Sequence, residues 1–259
     1  MTPIRLRTWV ATVATVGAVV AVIHAQSVKP PTTNRAGTSA MRDLSGVWMP
    51  SSWYHLMGGG DPGNVPRNTL FSFPARDAIK EREALLTPWG RERLAAWTPE
   101  NDPDARCQSP GAVRSYQSPY PIEFLQTTGR VTILYEYEHL VRRVYLDGRA
   151  HPGDFDPTPM GHSTGRWDGD ALVVETIGLA DTTLLNTTGL PHSDRLRLVE
   201  RIRRILDGNV LEIEFTIDDP VAYTKPWKAT SYFKRDPAGQ IMEYNCDLVV
   251  DYRKPPQHH

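Results

Sequence analysis

A histidine set among small residues is the first feature of this sequence that can do chemistry. The run Met160-Gly161-His162-Ser163-Thr164-Gly165-Arg166-Trp167 puts His162 between glycines and hydroxyls at the start of a strand. Imidazole exchanges a proton near neutral pH, and glycine lets a ligand approach the backbone closely. His162 is therefore the expected catalytic acid or base. The competing reading is a histidine that only hydrogen-bonds neighbouring backbone. A second cluster is Tyr135, Glu136, Tyr137, Glu138 and His139. Strand alternation puts Tyr135, Tyr137 and His139 on one face and the two glutamates on the other. Turned into a barrel, the first face offers two phenols and an imidazole to an aromatic or partly apolar molecule. Tyr135 and His139 would then join His162 in catalysis, and Tyr137 would bind. The same face serves equally well as plain core.

Further residues complete the expected ligand-binding set. Arg143 can hold an anionic group, or Arg142 and Arg143 can pair with the glutamates. Trp167 closes the His162 run. Asp181 and His192 lie in a long connection between strands, where His162–Asp181 or His192–Asp194 could act as base and orienter, or simply make local turns. His151, Asp154 and Asp156 are ligand types that suit a metal, but Pro152, Gly153 and Pro157 mark an ordinary loop. No metal is expected. Nucleotide-binding glycine loops, His-Glu-x-x-His, Cys-x-x-Cys and the Gly-x-Ser-x-Gly elbow do not occur. The chemistry expected is acid/base work without a cofactor.

The elements that must position these groups are mostly strands. From Pro121 the period becomes two: Ile122–Gln126, Val131–Tyr137, Val141–Leu146, Ala171–Thr176, Leu196–Ile205, Val210–Ile217, Lys228–Lys234 and Ile241–Val250 are rich in β-branched and aromatic residues. Thr128-Gly129, Asp147-Gly148, Asp168-Gly169, Asp207-Gly208 and Ala238-Gly239 fall between or after them as turns. Arg197, Arg201 and Arg203 can oppose Glu212 and Glu214 across one hairpin, which solvated ion pairs explain. About eight consecutive antiparallel strands have two edges to hide, and closure removes both. The expected fold is mainly β: an antiparallel up-and-down barrel from Leu44 to about Tyr252. Residues 50–120 form a loop and helix insertion. It contains a helix over Pro74–Leu86 and a second from an N-cap at Thr87-Pro88 to about Trp97.

Three segments are expected. Residues 1–25 read as a signal peptide: Arg5 and Arg7, an apolar run from Trp9 to Ile23, then Ala25 before Gln26. The run is shorter than the roughly 20 residues a bilayer span needs. Residues 26–40 read as a disordered linker, and 41–259 as one barrel domain. The mature protein is expected in the periplasm or outside the cell, with no stable membrane insertion. A formal net charge of -1 gives no case for a nucleic-acid partner. Cys107 and Cys246, an even pair in an exported chain, are expected to form a disulfide worth roughly 4–5 kcal/mol by loop entropy.

Asp43-Leu-Ser-Gly-Val-Trp48 resembles the Gly-x-Trp start of lipocalins and related calycin barrels. That resemblance implies a tryptophan closing one barrel end against a basic side chain, here Gly46, Trp48 and Arg253. Asn101–Cys107, Ile133–Tyr137, Arg143–Arg149, Met160–Trp167 and Asp218–Trp227 together resemble a family of exported bacterial proteins without a settled activity. This second resemblance implies export and fold but no mechanism.

Three functions stay open at this point. The first is cofactor-free isomerisation, hydration or elimination on a small, partly apolar molecule. The second is a carrier using the same pocket. The third is an envelope interaction module with a solid interior. The oligomeric state is open.

Overall fold

Alternation of apolar and polar side chains dictates the architecture. In Ala171–Ile177 the side chains of Leu172, Val174 and Thr176 are buried while those between them are partly exposed. In Val210–Asp218, Leu211, Ile213, Phe215 and Ile217 are fully buried. Such strands have one face to bury, and closing the sheet buries all of those faces together. The computed structural model describes residues 40–51 and 76–246, which belong to one compact unit.

Among the described residues nine strands close into a barrel in chain order. They are β1 (Gly46–Pro50), β2 (Ile122–Thr127), β3 (Arg130–Tyr135), β4 (Val141–Tyr145), β5 (His162–Asp168), β6 (Ala171–Ile177), β7 (Arg197–Ile205), β8 (Val210–Asp218) and β9 (Trp227–Asp236). β9 pairs back onto β1. Among the described residues α1 (Arg76–Glu83) and α2 (Pro88–Ala96) precede β2. Thr87 caps α2, its hydroxyl accepting from Gly90 N at 3.2 Å. No helix among the described residues is long and apolar enough to cross a membrane.

The barrel departs from an up-and-down meander at one joint. β4 and β5 run parallel, paired at Val144↔Ser163 and Tyr145↔Thr164. Asp147-Gly148 does not make a hairpin. It opens a crossover over residues 146–161 that returns the chain to the far end of the barrel. Prolines 152, 157 and 159 and glycines 148, 153 and 161 keep that crossover out of helix and sheet. Residues 241–246 are not a strand either; the rest of that expected strand lies outside the described residues. The expected signal, residues 26–39 of the linker, the glycine run 58–63 and Arg253 lie outside them too.

Both barrel ends are closed. At one, Trp48 is fully buried, its Nε1 donates to Leu44 O at 2.9 Å, and the Arg204 guanidinium lies 5.9 Å from its ring centroid. Arg204 in turn donates to the carbonyls of Ala40 and Asp43 at 3.0 and 2.8 Å. At the other end a short 3-10 turn, Arg114–Gln117, pushes Tyr116 into the interior. A buried ion pair of Arg114 with Asp102 fixes that turn at 2.6 and 2.8 Å. The Cys107–Cys246 disulfide is present.

Candidate functional site

β5 divides its side chains between two environments. Ser163, Gly165 and Trp167 face inward; His162, Thr164 and Arg166 face outward. A side chain on Gly165 would meet Val144 at 2.8 Å and Leu146 at 3.0 Å, so glycine is needed on the packed side. The outward residues meet the crossover. It bends back across the wall because Phe155 lies against Gly178, at the place where a β-carbon would be. Gly178 has φ +65°, a conformation that favours glycine.

This brings His151 onto His162. Their Nδ1 atoms are 2.8 Å apart, with the rings at 74°. His151 Nε2 is 3.2 Å from Thr164 Oγ1 and 3.6 Å from Glu175 Oε1. Arg197 pairs with the other oxygen of Glu175. Tyr145 stacks on His162 at 5.5 Å and 22°, and the Arg149 guanidinium lies 3.9 Å from the Tyr145 ring centroid.

Two facing Nδ1 atoms form a hydrogen bond only when one carries the proton and the other accepts. With the proton on His151 Nε2, toward the Thr164 hydroxyl and the Glu175 carboxylate, His151 Nδ1 accepts from His162 Nδ1–H and His162 Nε2 keeps its lone pair; with the proton on His151 Nδ1 the roles reverse. His162 Nε2 has no hydrogen-bond partner among the described residues. Burial lowers the His162 pKa, helped by His151 and Arg149, so the ring is neutral near pH 7. Glu175, His151 and His162 thus stand in a row, the first contact at 3.6 Å and the second at 2.8 Å.

Two grooves flank this ridge on the outer wall. One, of about 340 Å³, is lined by Tyr145, Arg149, Thr164, Arg166, Glu175 and Val199 among others. The other, of about 350 Å³, lies between Phe155, Ile177, Gly178 and Arg195. Arg197 lines both.

The interior is different: side chains fill it. Arg142 and Glu200 form a fully enclosed ion pair. Arg142 Nη1 donates to Glu200 Oε1 at 2.8 Å, Nη2 to Thr176 Oγ1 at 2.7 Å, and Nε to Ser163 Oγ at 3.0 Å. Tyr116 contributes its hydroxyl at 3.3 Å from Nη1. Burial disfavours the Arg142 cation, but Glu200 outweighs it and holds the pKa well above the usual value. Every guanidinium nitrogen is used, and Tyr116, Phe215 and Phe233 pack around the pair. This is a structural core and not a ligand chamber.

The expected site residues are consequently dispersed. Tyr135 is inside, edge-on to Tyr116 at 5.3 Å, with burial raising its pKa to about 12. The strand ends there. Tyr137–His139 is a 3-10 turn with Glu138 and His139 at positive φ, so Tyr135, Tyr137 and His139 do not share a face. Tyr137 stacks on Tyr120 at 5.7 Å and bonds Asp104 through its hydroxyl. His139 Nε2 accepts from Tyr244 N at 2.7 Å. His162 sits on the opposite side of the wall from Tyr135. Arg143 is exposed on the outer face of β4, two residues from Tyr145. Trp167 packs inward, with Arg42 5.7 Å from its ring centroid. Asp181 is exposed and pairs with Arg93 at 3.8 Å. His192 is buried; its Nδ1 donates to Ser193 O at 2.9 Å and its Nε2 accepts from Thr183 at 2.7 Å. Asp194 pairs with Arg195 in solvent at 3.8 Å, away from that ring.

Sequence reasoning passed over Glu175 and Glu200, and weighed His151 only as a metal ligand with Asp154 and Asp156, not as the partner of His162. Glu200 interrupts the apolar row Leu198, Ile202 on the inward face of β7, which is a visible signal of a buried charge needing a partner. His151 carried no periodic signal, because it lies in irregular backbone. No protein-family model matches this chain and no curated protein matches it.

Proposed function

We propose that this is an exported barrel protein that binds a small organic molecule on its outer wall and moves a proton on it. His162 Nε2 is the acceptor; His151 and Glu175 keep it in the basic tautomer. The reactions within reach are isomerisation, hydration and elimination, all of which begin or end with such a transfer. The observation that carries this reading is the 2.8 Å contact between the two Nδ1 atoms with Glu175 behind it. The grooves beside it supply the binding surface. The same wall without turnover would be a carrier, and loss of turnover in His162→Gln separates the two.

The Cys107–Cys246 bridge supports an oxidising compartment. The Arg204–Trp48 contact, a basic side chain against the tryptophan at one barrel end, supports kinship with calycin barrels. Two of the stretches that carry the resemblance to exported bacterial proteins, Arg143–Arg149 and Met160–Trp167, contribute Tyr145, Gly148, Arg149, Thr164, Gly165 and Arg166 to one groove.

Diethyl pyrocarbonate, which acylates unprotonated imidazole nitrogen, tests the base directly. His162 should react ahead of the buried His192 near neutral pH, and Glu175→Gln should slow it. A His162 that stays unmodified while other histidines react would refute the assignment. N-terminal sequencing of the protein recovered from cells tests export, with Gln26 as the expected first residue.

A further inference from the structure

The charge balance of the groove that contains Arg166 says what it binds; this rests on the wall being a binding site. Arg149 is held by Asp147, its Nε 2.9 and 3.0 Å from the two carboxylate oxygens. Arg197 is held by Glu175. Arg201, next along the wall, is held by Asp168 at 2.7 Å. Arg166 is the one arginine lining the groove whose guanidinium makes no hydrogen bond or ion pair with a described residue. One positive charge is therefore uncompensated, on a planar fork suited to an oxyanion.

Two valines lie beside it among polar neighbours. Arg166 stands opposite Val173 in the β5–β6 pairing, and Val199 follows on β7 opposite Glu175. A free inorganic ion would leave those valines wet; an apolar stem would cover them. His162 and Arg166 share the outer face of β5, four residues apart. At the usual strand rise their α-carbons are about 13 Å apart. His162 lies beyond the lining of this groove, so a molecule anchored at Arg166 meets it only by reaching past Thr164, with its charged group several bonds from the carbon that exchanges the proton.

We infer that the ligand is an elongated organic monoanion, a carboxylate at one end of an apolar stem, with Arg166 as its anchor. The recognising group is thus two residues beyond the hydroxyl of Thr164. Arg143, on the neighbouring strand, lies outside the groove lining.

The probe is 4-phenylbutanoate, titrated into the intact protein and followed by backbone amide resonances. The isosteric cation 4-phenylbutylamine and inorganic phosphate are the comparisons. Phenylbutanoate should shift the amides of Thr164, Arg166, Val173 and Val199 saturably. Arg166→Gln should weaken it about tenfold, the scale of one charge-assisted bidentate contact, with Arg166→Lys in between. Arg201→Gln, whose partner is Asp168, should change it less than about twofold. Equal binding of the amine, equal binding of bare phosphate, or unaltered binding in Arg166→Gln would each overturn the inference. So would absence of any saturable shift at these amides. Acylation of His162 by diethyl pyrocarbonate in the Arg166→Gln protein reads the base separately, so the anchor can fail while the base stands.

Discussion

Arg142→Met takes the cation away from Glu200 and leaves an unbranched apolar stem in its place. Glu200 is fully buried, and the hydrogen bonds to both of its oxygens come from Arg142. A stranded buried carboxylate has two options: stay charged, at a cost of about 3–5 kcal/mol for a broken buried pair, or take up a proton. Protonating a glutamate of ordinary pKa near 4.3 costs about 3.7 kcal/mol at pH 7, at 1.36 kcal/mol per unit. The two routes agree on roughly 3–4 kcal/mol. Ser163 and Thr176 keep their mutual bond at 2.8 Å, so the remaining polar loss is small. For a domain of this size the melting temperature should fall by roughly 7–15 °C. Urea unfolding followed by tryptophan fluorescence at neutral pH, with the disulfide intact, measures the loss. Adding Glu200→Leu should restore most of the stability. A loss below about 1 kcal/mol would refute the account of an enclosed, mutually dependent pair.

Three other outcomes are expected. Burial lowers the pKa of both His162 and His192, so the unfolded chain binds more protons between the folded and unfolded values. Stability from these rings is complete above about pH 6.5 and declines as pH falls below it; a melting temperature that rises from pH 7 to pH 5 would contradict this. Replacing Cys107 and Cys246 by serine opens a loop spanning 139 residues, and urea unfolding should show a loss of about 5 kcal/mol by loop entropy. Gly178→Ala should cost about 1–3 kcal/mol, because the residue sits at positive φ with Phe155 in the way; the displaced crossover should also carry His151 off His162, which histidine ring nitrogen resonances would report.

Local signals made the strands and helices legible. Thr87-Pro88 marks an N-cap by itself, and Thr128-Gly129, Asp168-Gly169 and Asp207-Gly208 do join neighbouring strands. The failures share a cause: they depend on where a chain goes after a locally ambiguous turn. Asp147-Gly148 looks like a hairpin turn, yet prolines 152, 157 and 159 prevent a strand from following it, and the next strand arrives parallel. Tyr135, Tyr137 and His139 alternate on paper, but Glu138 and His139 adopt positive φ and end the alternation. Such a turn leaves no composition signal, because both residues are ordinary strand or helix formers. His162 was visible as a small-residue histidine, while its partner His151 became one only through the path of the crossover.

The β4–β5 joint explains why the two polar clusters lie where they do. The two strands meet over two residue pairs, against nine for β7 and β8. A short parallel ladder is the weakest main-chain seam in a closed barrel. Side chains cross it on both faces. Inside, Arg142 on β4 reaches Ser163 on β5, Thr176 on β6 and Glu200 on β7. Outside, Tyr145 on β4 stacks on His162 of β5, which His151 holds from above. In the inner cluster the Arg142 and Glu200 charges are fully paired. In the outer one the His162 Nε2 and the Arg166 guanidinium have no hydrogen-bond partner among the described residues. A ligand lying across Tyr145 and Arg166 would bridge the seam from one strand to the next. Its binding free energy would then add to the stability of the joint, by the ordinary linkage between occupancy and folding. On the proposed reading, binding and barrel closure would be one equilibrium at this wall, and a ligand should slow opening of the β4–β5 seam.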